Sequence, residues 1–383
     1  MVGALCATYG LLYLGRVNIS LVLPLLAQDL DLSLAEVGAL GTVFFWFYGM
    51  FQLVSGEVGS HVSPFRIISL GLLATAIINV LFSFQSSLIL MLVLWGMNGI
   101  AQSGGWSPMV RILAERLDPR EIKRASTLMP FGYVIGTALT WTLIGAVAID
   151  GNWRIAFWLP GLLLFVVLAL WRQAGIDAPK TKSSGVRLSV IVSEARGIVF
   201  VMFVAALAGF VRNGSLIWLP SYILDTGLIA ENMVGAVAAL MQIIAIPGLL
   251  LAHYRVVSSN QVFVTAVMLF AATGFAFLLV TASAGPVAIL ALGFALMLLN
   301  GAFNLAIASI PLLMAPVGRA SSTAGTVNMM ATFSGGIAGF SIGALVELSG
   351  WQLVFALWGA LMLIAAFVVW RQRARENRGA GVA

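Results

Sequence analysis

Twelve apolar runs, each close to the ~20 residues a helix needs to cross the hydrocarbon core of a bilayer, are spaced along this chain. They begin near Gly3, Val37, Ile67, Leu88, Thr127 and Ile155, and again near Ile198, Val234, Val262, Val287, Thr323 and Val354. Between the two sets lies a polar connector, roughly Arg172 to Arg196, with Asp177, Pro179, Lys180, Lys182 and Arg187. Of the 383 residues, 61% are hydrophobic and only 9% charged, whereas soluble domains carry roughly a quarter charged residues. That balance excludes an ordinary water-soluble fold. The expected architecture is an all-α integral membrane protein of twelve transmembrane helices in two pseudo-symmetric six-helix bundles. Residues 1–172 form the first bundle, 173–196 a cytoplasmic connector, 197–373 the second bundle and 374–383 a cytoplasmic tail. The opening apolar stretch is long and lacks a basic leader, so it reads as a first span and not as a signal peptide.

Orientation follows from the cations, because cytoplasmic loops hold the Lys/Arg excess. With the N-terminus inside, these loops receive Arg66, Arg116, Arg120, Lys123, Arg124, the connector, Arg255, Arg319 and the tail cations Arg371, Arg373, Arg375 and Arg378. The opposite loops receive Asp29, Asp31, Glu36, Asp150, Asp225, Glu231 and Glu347, with Arg154 as their cation. Both termini are therefore expected in the cytoplasm, at a prokaryotic inner membrane. The net charge of +6 is a topology signal, since cations scattered over short loops make a poor nucleic-acid surface. A single cysteine, Cys6, forms no internal disulfide and matches no metal-ligand spacing. No nucleophile–base pair is visible around His61 or His253, which lie near span ends. No catalytic residue, metal or cofactor is expected. The expected partners are a small anionic solute and the lipid bilayer, with the protein monomeric.

The two halves repeat. Arg16, Leu23–Pro24 and Asp29 recur as Arg212, Leu219–Pro220 and Asp225, each displaced by 196 positions. Trp153 and Phe157 recur as Trp351 and Phe355, displaced by 198, and each half closes with Trp-Arg-Gln. Parallel six-helix repeats place a substrate site near the bilayer midplane, between the halves.

Arg16 lies about 13 residues into the first span, roughly 20 Å along a helix, and Arg212 at the matching depth of the seventh. A cation at the bilayer centre costs about 2.5–3.5 kcal/mol on insertion scales. One reading has each arginine neutralised by a carboxylate or by helix carbonyls, locking helices together. Against it, the carboxylates cluster at helix ends and in loops, with Glu57 and Glu347 the nearest to being embedded. The other reading makes the pair an anion site, since the planar guanidinium fork grips carboxylate or phosphate bidentately. Tyr9, Tyr13, Tyr48, Gln52, Gln102, Trp106, Asn213, Asn300 and Asn304 lie at similar depth, where each also suits an interhelical hydrogen bond or an interfacial aromatic.

Tyr13-Leu14-Gly15-Arg16-Val17-Asn18-Ile19-Ser20 resembles the first helix of two related groups of the major facilitator superfamily. These are the organophosphate:phosphate antiporters and the anion:cation symporters. Phe44 to Gly56 is similar to the symporters' second helix. Gln102 to Pro108 with Arg111, and Phe210 to Tyr222, resemble the antiporters' fourth and seventh helices, and the similarity runs on through Ala315–Pro316. The resemblance implies a major facilitator fold with Arg16 and Arg212 on the anion, Tyr9, Tyr13 and Tyr48 in support, and Trp106 at the antiporters' fourth-helix tryptophan. The chain departs from both groups. The antiporters' second-helix lysine falls at Gln52 and their fifth-helix histidine near Gly132, and the symporters' proton-linked acids fall at Gly15 and Gln102. The usual Asp-Arg after the second helix is Ser60-His61.

The function expected is alternating-access transport of a small organic anion, organophosphate or sugar acid. Exchange of one anion for another is the simpler coupling, given no embedded carboxylate. The rivals are a transporter-like membrane sensor of an organic anion and an exporter of amphipathic compounds.

Overall fold

The computed structural model describes residues 1–148, 152–177, 188–259, 261–311 and 320–380. Asp150, Arg319, Ala315–Pro316 and the connector residues Pro179, Lys180, Lys182 and Arg187 lie outside the described residues.

The chain is built from helices. In order they are α1 (Val2–Leu11), α2 (Asn18–Asp29), α3 (Leu34–His61), α4 (Pro64–Phe82), α5 (Leu88–Ser103), α6 (Trp106–Arg116) and α7 (Pro119–Val147). Then come α8 (Ile155–Ala174), α9 (Leu188–Asp225), α10 (Glu231–Ser259), α11 (Val262–Ala282), α12 (Gly285–Asn304) and α13 (Ala320–Ala380). Local chemistry starts several of them. Ser33 and Glu36 form a capping box, with Ser33 N and Oγ donating to Glu36 Oε2 at 2.9 and 2.8 Å, and so satisfy the first turn of α3. Asp118 and Glu121 do the same for α7 at 3.2 and 2.8 Å. In α4, Ser63 caps the first turn and Pro64 occupies the first helical position, where a missing N–H costs nothing.

Among the described residues, ten stretches are long and apolar enough to cross a membrane. The last, Gly325–Ala374, is 50 residues long and is broken at Gly350 (φ 73°, ψ −179°), a left-handed backbone that glycine adopts without strain. It therefore holds two spans. A shorter apolar helix, Phe131–Val147, makes up the remaining one, and the twelve-span reading holds. Three spans are not the plain helices their apolar runs suggest. The first is interrupted by a 3₁₀ turn at Leu12–Gly15, the fourth divides into α5 and α6 around Gly104–Gly105, and the tenth ends in a π turn at Leu305–Ser309.

The chain separates into two compact units, Met1–Val186 with Leu216–Ile243, and Arg187–Ser215 with Ile244–Ala383. In the first unit α1 and α7 meet backbone to backbone. A Cβ on Gly132 would lie 2.8 Å from the Cys6 carbonyl, and one on Gly136 would collide with Gly10. Small residues permit such close approach where lipid offers no hydrophobic drive between helices. A fully buried cluster of Phe82, Trp95, Trp153 and Phe157 packs α4, α5 and α8 together, with Phe82 and Phe157 centroids 4.2 Å apart. The second unit carries the repeat of this cluster. Phe355 lies 6.4 Å from Phe277 and 6.3 Å from Trp351, as Phe157 lies 5.9 Å from Trp153.

Candidate functional site

Arg16 sits where the first span breaks. Its backbone (φ −122°, ψ −50°) leaves the helical region between the 3₁₀ turn and α2. Arg16 N and Val17 N both donate to the Tyr13 carbonyl, and the Gly15 carbonyl turns out of the helical ladder. Side-chain amides take it up. Asn98 Nδ2 donates to it at 2.7 Å, Gln102 Nε2 at 3.0 Å and Asn79 Nδ2 at 3.3 Å. The far side of the break is held as well. Asn18 Nδ2 donates to Asn79 Oδ1 at 2.9 Å and to the Ala156 carbonyl at 2.7 Å. Trp141 Nε1 donates to Ser20 Oγ at 2.8 Å and to the Val17 carbonyl at 3.2 Å. Broken backbone at membrane depth is tolerated where protein satisfies it, and here the side chains of Asn79, Asn98, Gln102 and Trp141 do so.

The guanidinium of Arg16 lies among aromatic rings. Its Cζ is 4.6 Å from the Tyr48 centroid, 5.1 Å from Tyr13, 5.2 Å from Phe44 and 5.5 Å from Phe45. Contacts of this kind contribute about 0.5–2 kcal/mol each, more when desolvated, so together they offset much of the cost of the buried charge. Nε of Arg16 is buried with no partner. Arginine–carboxylate pairs form elsewhere, Arg111 with Glu115 at 2.8 Å and Arg154 with Asp29 at 3.1 Å. No carboxylate among the described residues pairs with Arg16. Beside it lies a cavity of about 20 Å³, lined by Arg16, Ser20, Gly41, Phe44, Phe45 and Ile217 among others, room for a single water molecule.

Of the other residues singled out from sequence, Tyr9, Tyr13, Tyr48 and Trp106 belong to this one cluster. Tyr9 stands 5.7 Å from Tyr13 and 5.0 Å from Trp106. Gln102 is 4% exposed and committed to the Gly15 carbonyl and Asn98. Gln52 lies one turn beyond Tyr48, half-buried. In the second unit Arg212 is 8% exposed on α9, which runs through it unbroken, and its Cζ lies 5.7 Å from the Phe303 centroid. Asn213 Nδ2 donates to the Ala331 carbonyl at 3.2 Å, where Gly335 packs directly against the Asn213 side chain. Asn300 and Asn304 flank Phe303 on one face of α12. Asn300 is buried and bonds the Leu296 carbonyl at 2.9 Å, while Asn304 is half-buried.

Sequence reasoning missed Asn18, Asn79 and Asn98, and the roles of Phe44, Phe45 and Tyr133, the last 6.0 Å from Tyr13. A signal for the asparagines was present. Each stands inside an apolar run and is 0% exposed, and a buried amide persists only when bonded. Among the described residues, no three His, Cys, Asp or Glu side chains gather as a metal site would require.

A protein-family model described as Major Facilitator Superfamily matches residues 5–339. A probable hexose phosphate transport protein of Chlamydia pneumoniae is 30% identical over 151 residues, 39% of this chain and 33% of that protein. The membrane sensor protein UhpC of Escherichia coli is 31% identical over 166 residues, 43% of this chain and 38% of that protein. The alignments to these relatives thus span little more than a third of their length. A hexuronate transporter of Bacillus subtilis is 25% identical over 94% of this chain and 90% of its own. Among solved structures, a bacterial homolog of the human lysosomal transporter Spinster, inward-facing and occupied, superposes with a TM-score of 0.80. It is 15% identical over 96% of this chain and 95% of its own, and the likeness is one of fold.

Proposed function

Because this chain belongs to the Major Facilitator Superfamily, we propose that it is a secondary transporter of a small organic anion, working by alternating access, with Arg16 and Arg212 as the groups that receive the anionic moiety. The observation that carries this reading is Arg16. It is a cation deep in a membrane span, without a carboxylate partner among the described residues, with a buried Nε left unbonded. Cation–π contacts do not use up a guanidinium's N–H donors, and its planar fork matches a carboxylate or phosphate bidentately. The aromatic contacts hold the charge ready in the empty state, and the anion completes it. Relatives named for hexose phosphate and hexuronate transport support an organophosphate or sugar-acid substrate.

In this reading residues 1–172 and 197–373 are the two moving bundles, both termini lie in the cytoplasm and the membrane is a bacterial inner membrane. With no carboxylate paired to Arg16 among the described residues, exchange of one anion for another is the simplest coupling. An empty, doubly cationic site resists reorientation, because its charges lose their counterion. Transport that collapses with a protonophore yet ignores anion on the trans side would refute exchange.

A second reading is favoured by one observation, the 31% identity to the sensor UhpC. A sensor binds the same anion through the same arginines without moving it. Thermal shift of the detergent-purified protein against inorganic phosphate, hexose phosphates and hexuronates tests the shared site, since a ligand bound to the native state raises Tm. Stabilisation by one class, lost in Arg16→Ala and in Arg212→Ala, supports it. An undiminished response in both variants refutes it. Uptake into proteoliposomes then separates transporter from sensor.

A further inference from the structure

We propose that Asn79, Asn98 and Gln102 are positioning residues for Arg16: by holding the Gly15 carbonyl they fix the break in the first span that aims the guanidinium. The inference rests on the reading of Arg16 as the anion's ligand. Three amides from α4 and α5, exposed by 0%, 0% and 4%, converge on one backbone oxygen at 3.3, 2.7 and 3.0 Å. Asn79 Nδ2 also donates to the Thr75 carbonyl at 2.9 Å and Gln102 Nε2 to Asn98 Oδ1 at 3.4 Å, but the point where all three meet is the backbone of the residue next to Arg16. The leverage is geometric. Successive residues of an α-helix are rotated by about 100°, so a break that healed or slipped by one residue would swing the guanidinium out of the ring cluster of Tyr13, Phe44, Phe45 and Tyr48. Gly15 itself admits no alternative, since a Cβ there would lie 2.6 Å from Thr75 Cγ2 and 2.7 Å from Asn79 Nδ2. Nothing in the clasp titrates. A carboxyl at position 102 would donate to Gly15 O when protonated and repel it when ionised, so Gln102→Glu should make anion binding pH-dependent, which loss of packing alone would not.

The test titrates wild type, Gln102→Glu, Asn98→Leu and Arg16→Ala with inorganic phosphate, glucose 6-phosphate and glucuronate by thermal shift. Gln102 is 4% exposed, and burial favours the neutral form of a carboxyl placed there, so measurements at about pH 5.5 and about pH 8.5 are chosen to bracket its ionisation. Each dissociation constant is taken relative to wild type at the same pH, so ionisation of the anion itself cancels. Thr273→Val, which removes a buried hydroxyl of α11 bonded to the Leu269 carbonyl at 2.6 Å, controls for general destabilisation. The expected ratio for Gln102→Glu is near one at the acidic pH and about tenfold at the alkaline one. For Asn98→Leu it is about tenfold at both, and for Thr273→Val it stays near one while Tm falls. Ratios near one for both clasp variants, or an equal loss in Thr273→Val, overturn the proposal. Should Gln102→Glu not fold, Asn98→Leu decides alone. A wild type stabilised by none of the anions, or an Arg16→Ala protein that responds normally, refutes the anion reading and this inference with it. A response lost in Arg16→Ala but intact in the clasp variants refutes the inference alone.

Discussion

Arg16 and Arg212 stand 196 positions apart at matching places in the internal repeat, yet the chain around them is built differently. Arg16 lies in a break between two short helices, with four rings about its guanidinium. Arg212 lies within the 38-residue helix α9, with Phe303 at 5.7 Å. Gly15, whose carbonyl the amides hold, corresponds to Val211, and Asn18 to Gly214. The duplication has kept the charged residue and its depth while the supporting chemistry diverged. One arginine is held by a tertiary clasp and a stack of rings. The other rides on a continuous helical ladder, with Ser215 Oγ bonding back to the Arg212 carbonyl at 2.8 Å, a contact that bends helices slightly.

Exchanging the residues that differ is the strongest way to break this comparison. Gly15→Val imports the residue of the second half into a space with Thr75, Asn79 and Leu164 within 2.9 Å of a Cβ. Overpacking of this kind costs about 1–3 kcal/mol or more, and the clasp is lost with it. The expected result is a lowered Tm and no anion-induced shift, whereas Val211→Ala should lose stability through a cavity and retain the shift. A purified Gly15→Val protein with wild-type affinity would show that the break is incidental.

Arg→Lys at each site gives the next largest effect. Lysine keeps the charge but loses the bidentate fork and the stacking face. Four ring contacts at Arg16 against one at Arg212 among the described residues predict a greater weakening at Arg16, by about 2 kcal/mol or more of binding, than at Arg212. Equal losses measured by ligand titration would mean that the rings do not set the difference. Tyr48→Phe removes a hydroxyl from the ring that lies 4.6 Å from the Arg16 Cζ and keeps the ring. It should weaken binding by about 0.5–1.5 kcal/mol, read as a few-fold rise in dissociation constant. Phe303→Leu should have the smallest effect, about 0.5–1 kcal/mol, confined to ligand affinity in the same titration.

Much of this was legible without coordinates. The twelve runs announced the spans, including the run near Thr127 that contains Phe131–Val147 and the runs near Thr323 and Val354 on either side of the break at Gly350. Arg16, Tyr9, Tyr13, Tyr48 and Trp106 could be gathered because helical spacing and a repeat placed them at one depth. Gln102 was also visible, but its use of the Gly15 carbonyl was not. Nor was the break itself, since Leu12–Gly15 is as apolar as its flanks and contains no proline. The asparagines passed unnoticed because an isolated amide in an apolar helix has no local pattern.

The sequence by itself determined that this chain spans a bilayer, that it is duplicated, and that each half carries a cation where a cation is expensive. Those properties are additive along the chain. Hydropathy is counted residue by residue, and a repeat is a correspondence of positions. Tertiary structure alone decided how Arg16 is held. The Gly15 carbonyl and the amides that hold it are 64 to 87 residues apart, and the rings of Phe44, Phe45 and Tyr48 come from another span. A helix yields its own hydrogen bond only when a partner stands ready to replace it in a place without water. Which partner does so is a property of the packed fold.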